Sequence, residues 1–200
     1  MAIGAGADAL GLVSTMPSGL GVISNERILE ITQMIPPSID AFVLTTLDNS
    51  WDLIDLIRKV RNRTIQLVDR LNTGNYLEIR ASIPCVKIVQ VIHVQDETAI
   101  EKAIRVESYV DAVLLDSGNP DLPIKELGGT GRTHNWDISK EIVDSIETPV
   151  FLAGGLNPEN IGEAIEKVRP FGVDVCNGVR TDGKLDGEKL RKFINETKGF

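Results

Sequence analysis

Pro149-Val-Phe-Leu-Ala-Gly-Gly-Leu-Asn-Pro158 reads as one strand, one turn and the start of one helix. The apolar run Pro149 to Ala153 has the composition of a strand buried on both faces. Gly154-Gly155 ends it, and Asn157 before Pro158 has the form of an N-cap followed by proline in the first helical turn. A helix from Pro158 to Val168 and a strand Gly172-Val-Asp-Val175 are predicted next. Strand, helix and strand in that order form a parallel crossover unit.

The unit repeats along the chain. Strands are predicted at Asp8–Val13, Ala41–Thr45, Thr64–Val68, Val86–Val94 and Asp111–Asp116, before the two just read. Helices are predicted at Asn25–Met34 behind a Ser24 cap, then at Trp51–Val60, Tyr76–Ala81, Thr98–Ser108, Ile138–Ile146 and about Glu188–Glu196. Seven strands result, each followed by a helix, and Ala2 to Gly6 reads as the tail of a preceding helix. The expected fold is α/β, a (β/α)8 TIM barrel with seven strands visible here and its first β/α unit truncated. A single domain over residues 1–200 is expected, because that length suits one domain and no linker interrupts it.

Composition narrows the function. With 29 acidic against 21 basic residues and a net charge of −8, a general nucleic-acid binder is excluded, since phosphate neutralisation needs a basic face. No apolar run approaches the roughly 20 residues of a membrane span. Met1 to Gly6 lacks the basic segment of a secretory signal, so a cytoplasmic protein is expected. Cys85 and Cys176 lie far apart without metal-type spacing, and no metal site is expected.

Three glycine clusters follow what would be the sixth, seventh and eighth strands of an eight-unit barrel. They are Gly128-Gly129-Thr-Gly131, then Gly154-Gly155 with Asn157, and finally Asn177-Gly178. Such barrels bind ligands at the strands' C-terminal face, with phosphate on the loops after strands seven and eight. Glycine lets backbone N–H groups approach an anion closely. Glycines also serve as plain tight turns, but clusters at all the matching strand ends favour the phosphate reading.

Asp116 closes an apolar strand, where partial burial suits a carboxyl to general-acid work; the alternative is a cap on the turn Ser117-Gly118-Asn119. Asp69 beside Arg70 suggests an ordinary ion pair. Gln66 and Gln90 suggest core hydrogen bonds or pocket lining. His93 and His134 are read as polar partners at loop edges, and Cys176 as a small packing residue rather than a nucleophile.

Leu114-Leu-Asp-Ser117, Gly128-Gly-Thr-Gly-Arg-Thr-His-Asn-Trp136, Val150-Phe-Leu-Ala-Gly-Gly-Leu-Asn-Pro-Glu-Asn160 and Val168-Arg-Pro-Phe-Gly-Val-Asp-Val175 together resemble the phosphoribosylanthranilate isomerase family of tryptophan biosynthesis. The similarity is dense from Asp111 onward, and Ala5-Gly-Ala-Asp-Ala-Leu-Gly-Leu12 extends it to the start. The resemblance implies a (β/α)8 barrel and an Amadori rearrangement of N-(5-phosphoribosyl)anthranilate. It implies Asp116 as general acid and Gly129, Gly131, Gly154, Gly155, Asn157, Asn177 and Gly178 on phosphate-binding segments. No metal or organic cofactor is implied. The implied partner is a phosphorylated small-molecule substrate, with no nucleic acid and no membrane.

Departures accompany the likeness. The family's base is a cysteine in a Lys-x-Cys-Gly segment, which this sequence does not contain. The loop Met16-Pro-Ser-Gly-Leu-Gly-Val22 carries no cation where the family has an arginine. Gln66-Leu-Val-Asp69 stands where relatives often have Gln-Leu-His-Gly. Two alternatives therefore accompany the isomerase reading: a non-catalytic phosphate-sugar binding barrel, and an isomerase of another phosphorylated aminosugar. Strand edges left unpaired in a seven-stranded barrel lead us to expect either a homo-oligomer or a marginally soluble chain.

Overall fold

The computed structural model describes every residue except 15, 17–20, 73, 123–130 and 199–200. Seven strands run parallel in sequence order: β1 Ala9–Val13, β2 Asp40–Thr45, β3 Thr64–Leu67, β4 Lys87–His93, β5 Ala112–Asp116, β6 Val150–Leu152 and β7 Gly172–Val173. Helices α1 Ala2–Ala5, α2 Asn25–Met34, α3 Ser50–Val60, α4 Tyr76–Ser82, α5 Thr98–Val106, α6 Trp136–Ser145, α7 Ile161–Val168 and α8 Gly187–Thr197 cover the outside of the curled sheet. The result is a TIM-type barrel open along one seam. Among the described residues, β1 and β7 each pair with a single neighbour in this sheet.

Local chemistry explains why the helices start where they do. The Ser24 hydroxyl accepts the Arg27 N–H at 3.2 Å, and the Asn135 side chain accepts that of Asp137 at 2.9 Å. Asn75 caps α4 and Asp186 caps α8 in the same way. At the other end, Gly6 closes α1 in the left-handed region at φ 102°.

Side chains alternate across the strands and divide the interior into two layers. Val113, Leu115, Val150 and Leu152 point outward into the large core between sheet and helices. Truncating one such fully buried leucine to alanine costs roughly 2–5 kcal/mol. Val89, Val91, Ala112, Leu114 and Ala153 form a smaller inner cluster against Phe42 and Phe151. Above that plug lies the strands' C-terminal end.

Some expectations are corrected. The helix predicted from Pro158 begins at Ile161, because Asn157 holds the intervening residues in a turn. The last strand of the sheet is Gly172–Val173 rather than Gly172–Val175; as an edge it has only β6 to bond. Helix α5 gives way to a 3-10 turn at Glu107–Tyr109. A short antiparallel hairpin, β8 Arg180–Thr181 with β9 Lys184–Leu185, was not anticipated. No helix among the described residues is long and apolar enough to cross a membrane.

Candidate active site

The turns after β5, β6 and β7 touch one another. Gly154 and Gly155 both lie in the left-handed region, at φ 78° and 64°, where a side chain is strained. A β-carbon on Gly155 would meet the Arg132 carbonyl carbon at 2.5 Å, and one on Gly154 would meet the Ser117 nitrogen at 2.9 Å. Gly178 sits against Leu156 and Asn157 with no room for a β-carbon. Gly154, Gly155, Asn157, Asn177 and Gly178 are therefore brought together at one end of the barrel. Gly131 has φ 69° and an open flank, while Gly129 lies outside the described residues.

Asn157 organises the β6 turn by accepting the backbone N–H groups of Glu159 at 2.9 Å and Asn160 at 3.1 Å. Asn160 returns the bond, its side-chain Oδ1 accepting the Asn157 N–H at 2.9 Å. Asn157 thus caps the turn that precedes α7, while the N-cap position of α7 itself is Asn160, which makes no side-chain cap bond.

Strand parity aims Asp116 inward. Ala112 and Leu114 belong to the inner cluster, and Asp116 continues their face. Its Oδ1 accepts the Ser117 N–H at 2.7 Å, so the turn-capping alternative is real and coexists with the inward position. Burial pushes the Asp116 carboxyl above the usual range, opposed by the Ser117 hydrogen bond and by His93. His93 is Asp116's register partner on β4. It ends that strand in the barrel interior instead of sitting at a loop edge, and it is 7% exposed. Its Nε2 lies 3.0 Å from the Val68 carbonyl oxygen, so this nitrogen carries the proton and donates it.

A second inward carboxyl escaped the sequence reading. Asp174 follows β7 on the face of Gly172, which packs on the Phe151 ring. Burial, and then the charge of Asp116, push its pKa up to about 6. Asp174 opens to water through the seam, which softens the burial effect without changing its direction. The available signal was parity: an acid two residues beyond a strand glycine, flanked by valines.

Other residues separate by layer. Gln66 lines the concavity of about 1350 Å³ along the open seam. Gln90 turns outward instead, accepting the Tyr76 hydroxyl proton at 2.8 Å and donating to Leu67 and Asp69 carbonyls. Asp69 meets Arg70 through the backbone rather than as the expected ion pair, its Oδ1 accepting the Arg70 N–H at 2.8 Å. Cys176 is exposed in the seam and is not a packing residue. His134 stands beside Gly154 with its Nε2 2.7 Å from the Ser139 hydroxyl.

Glycine turns at the C-terminal mouth of a parallel barrel, beside an inward carboxyl, are placed where enzymes of the TIM-barrel class carry their active sites. The profile of N-(5′-phosphoribosyl)anthranilate isomerase matches residues 23–196, and the chain belongs to that family. A relative from Methanocella arvoryzae with that name is 35% identical over 96% of this chain and 89% of its own length. One from Haloferax volcanii is 35% identical over 97% and 85%. A Thermotoga maritima phosphoribosylanthranilate isomerase superposes with a TM-score of 0.80 at 29% identity, covering 100% of this chain and 92% of its own. A phosphoribosylanthranilate isomerase structure holding reduced 1-(o-carboxyphenylamino)-1-deoxyribulose 5-phosphate gives 0.77 at 27% identity, covering 100% and 91%.

Proposed function

We propose that the chain converts N-(5-phosphoribosyl)anthranilate into 1-(2-carboxyphenylamino)-1-deoxyribulose 5-phosphate, a step of L-tryptophan biosynthesis. The carrying observation is the inward Asp116 at the same barrel end as the contacting glycine turns. Gly154, Gly155, Asn157, Asn177 and Gly178, with Gly131 beside them, hold the phosphate through backbone N–H groups. That fixes the sugar with its ring oxygen toward Asp116.

Asp116 gives its proton to the ring oxygen, and the carbon–oxygen bond at C1 breaks to leave an iminium. Removal of the C2 proton then yields an enolamine, which tautomerises to the ketose. Burial suits Asp116 to the first step, because a carboxyl that keeps its proton nearer to neutrality is the better acid. No residue of this chain is assigned to the C2 proton. The same reading gives a cytoplasmic enzyme whose partner is a phosphorylated small molecule.

The test is turnover of the fluorescent anthranilate substrate by the purified chain. Wild type should consume it, and Asp116→Asn should be slower by roughly a hundredfold or more, as expected for general acid catalysis. An Asp116→Asn variant of unchanged rate removes the residue from this role. Phosphate binding without any turnover favours the non-catalytic barrel.

A further inference from the structure

We infer that His93 is the positioning residue of Asp116: the two side chains hold one proton between them, and that proton keeps Asp116 loaded for the ring-opening step. The inference rests on the isomerase reading above and concerns what keeps its acid supplied.

Strand pairing sets the two residues side by side. His93 ends β4 as the register partner of Asp116, and the next N–H, that of Val94, donates to the Asp116 carbonyl at 2.9 Å. Val89 and Val91 lead to His93 on the inner face of β4, as Ala112 and Leu114 lead to Asp116 on β5. Adjacent strands lie about 4.8 Å apart, so the side chains share one space. The ring is fixed at one nitrogen and open at the other. Nε2–H is given to the Val68 carbonyl at 3.0 Å, which leaves Nδ1 of the neutral ring with its lone pair. Nδ1 is buried and has no hydrogen-bond partner among the described residues. A buried nitrogen left that way carries a desolvation cost, which a shared proton relieves. Asp116 gives Oδ1 to the Ser117 N–H, and His93 acts on its charge across the register pair.

The titratable groups on the surrounding elements leave this part to His93. Asp69 follows Val68 and turns its Oδ1 to the Arg70 N–H. His134, which meets Ser117 across Gly154, stays neutral, because burial lowers its pKa to about 4. Asp174 reaches Asp116 from β7, and its negative charge holds the shared proton more firmly.

That proton has two resting places: the Asp116 carboxyl beside a neutral ring, or Nδ1 beside a carboxylate. Opposite charges favour each other, so the last proton leaves such a pair at a higher pH than it leaves a lone carboxyl. In the reaction it passes through Asp116 to the sugar ring oxygen as the bond from C1 to that oxygen breaks. A carboxylate beside a neutral imidazole remains. An isomerisation consumes no net proton, so solvent water returns one to the pair.

The test reads kcat/KM against pH for the full chain as wild type and His93→Gln, whose amide can still donate to the Val68 carbonyl. The basic limb should move to lower pH by about one unit in His93→Gln, the size of a lost opposite charge. The variant then falls roughly tenfold behind near pH 8, and the gap closes toward pH 5. A merely structural role lowers the rate by one factor at every pH. That result, or an unmoved limb, overturns the inference while the isomerase reading stands. A second measurement needs neither turnover nor a His93 variant. In 15N spectra of the chain's two histidines, His93 should take up its second ring proton at a higher pH in wild type than in Asp116→Asn. Equal uptake in both proteins overturns the inference as well. A wild-type chain without turnover at any pH overturns the isomerase reading and this role with it.

Discussion

Gly178 lies so close to Leu156 that a β-carbon on it would sit 1.9 Å from the Leu156 carbonyl oxygen. The contact joins the turn after β7 to the turn after β6, and a backbone carbonyl has nowhere to retreat. Gly178→Ala must therefore push the two turns apart. Overpacking of this kind costs ~1–3 kcal/mol, a fall in Tm of about 2–12 °C. If the turns share one phosphate, KM for the substrate also rises, by roughly tenfold. Kinetics beside a thermal melt separates the effects, and a lower Tm with an unchanged KM removes Gly178 from the anion site.

Asp174 should weaken the fold slightly, since its exposure in the seam screens much of the charge. Its carboxyl, raised from 3.8 to about 6, binds a proton more tightly folded than unfolded. Stability attached to that proton is present below pH 3.8 and is lost as pH rises through about 6. Asp174→Asn should thus raise Tm at pH 7.5 and make no difference near pH 3.5. A variant less stable than wild type at neutral pH contradicts this account of the Asp174 charge.

His134 works with the opposite sign. Burial lowers its pKa to about 4 from 6.5, so the unfolded chain takes up the proton first. Stability is lost as pH falls from 6.5 toward 4, approaching ~3 kcal/mol on the full shift. His134→Phe should flatten the stability profile across that interval in urea titrations. An unchanged acid-side slope shows that the imidazole is not the group responsible.

The open seam makes a prediction about association. Among the described residues β1 and β7 each have one partner in the sheet, and apolar Phe171 is 73% exposed beside the seam. Unpaired strand edges recruit other strands. Light scattering after size exclusion should find the 200-residue chain as a dimer or larger. A monomer at tens of micromolar rejects this.

How much was legible depends on the range of the forces involved. Helix α2 was read at Asn25–Met34 and is found there, because its cap and its periodicity are both local. The start of α7 was missed by a few residues, since Asn157 builds a separate turn first. Asp116 was found through its place at the end of an apolar strand. Asp174 stood inside the predicted strand Gly172–Val175 without being singled out, because alternation alone does not say which face of an edge strand lines the barrel. Gln66 and Gln90 looked alike in sequence, and only their parity on neighbouring strands sent one to the seam and the other to Tyr76.

By itself the sequence determined the order of strands and helices, the glycine turns and the family. Those follow from burial periodicity, caps and backbone freedom, which act over a few residues. Only the tertiary structure decided that Gly155 rests on Arg132, that Gly178 rests on Leu156, and that Asp174 feels Asp116. Each of these joins residues far apart in the chain, and their distance is set by how the sheet curls, which no short stretch encodes.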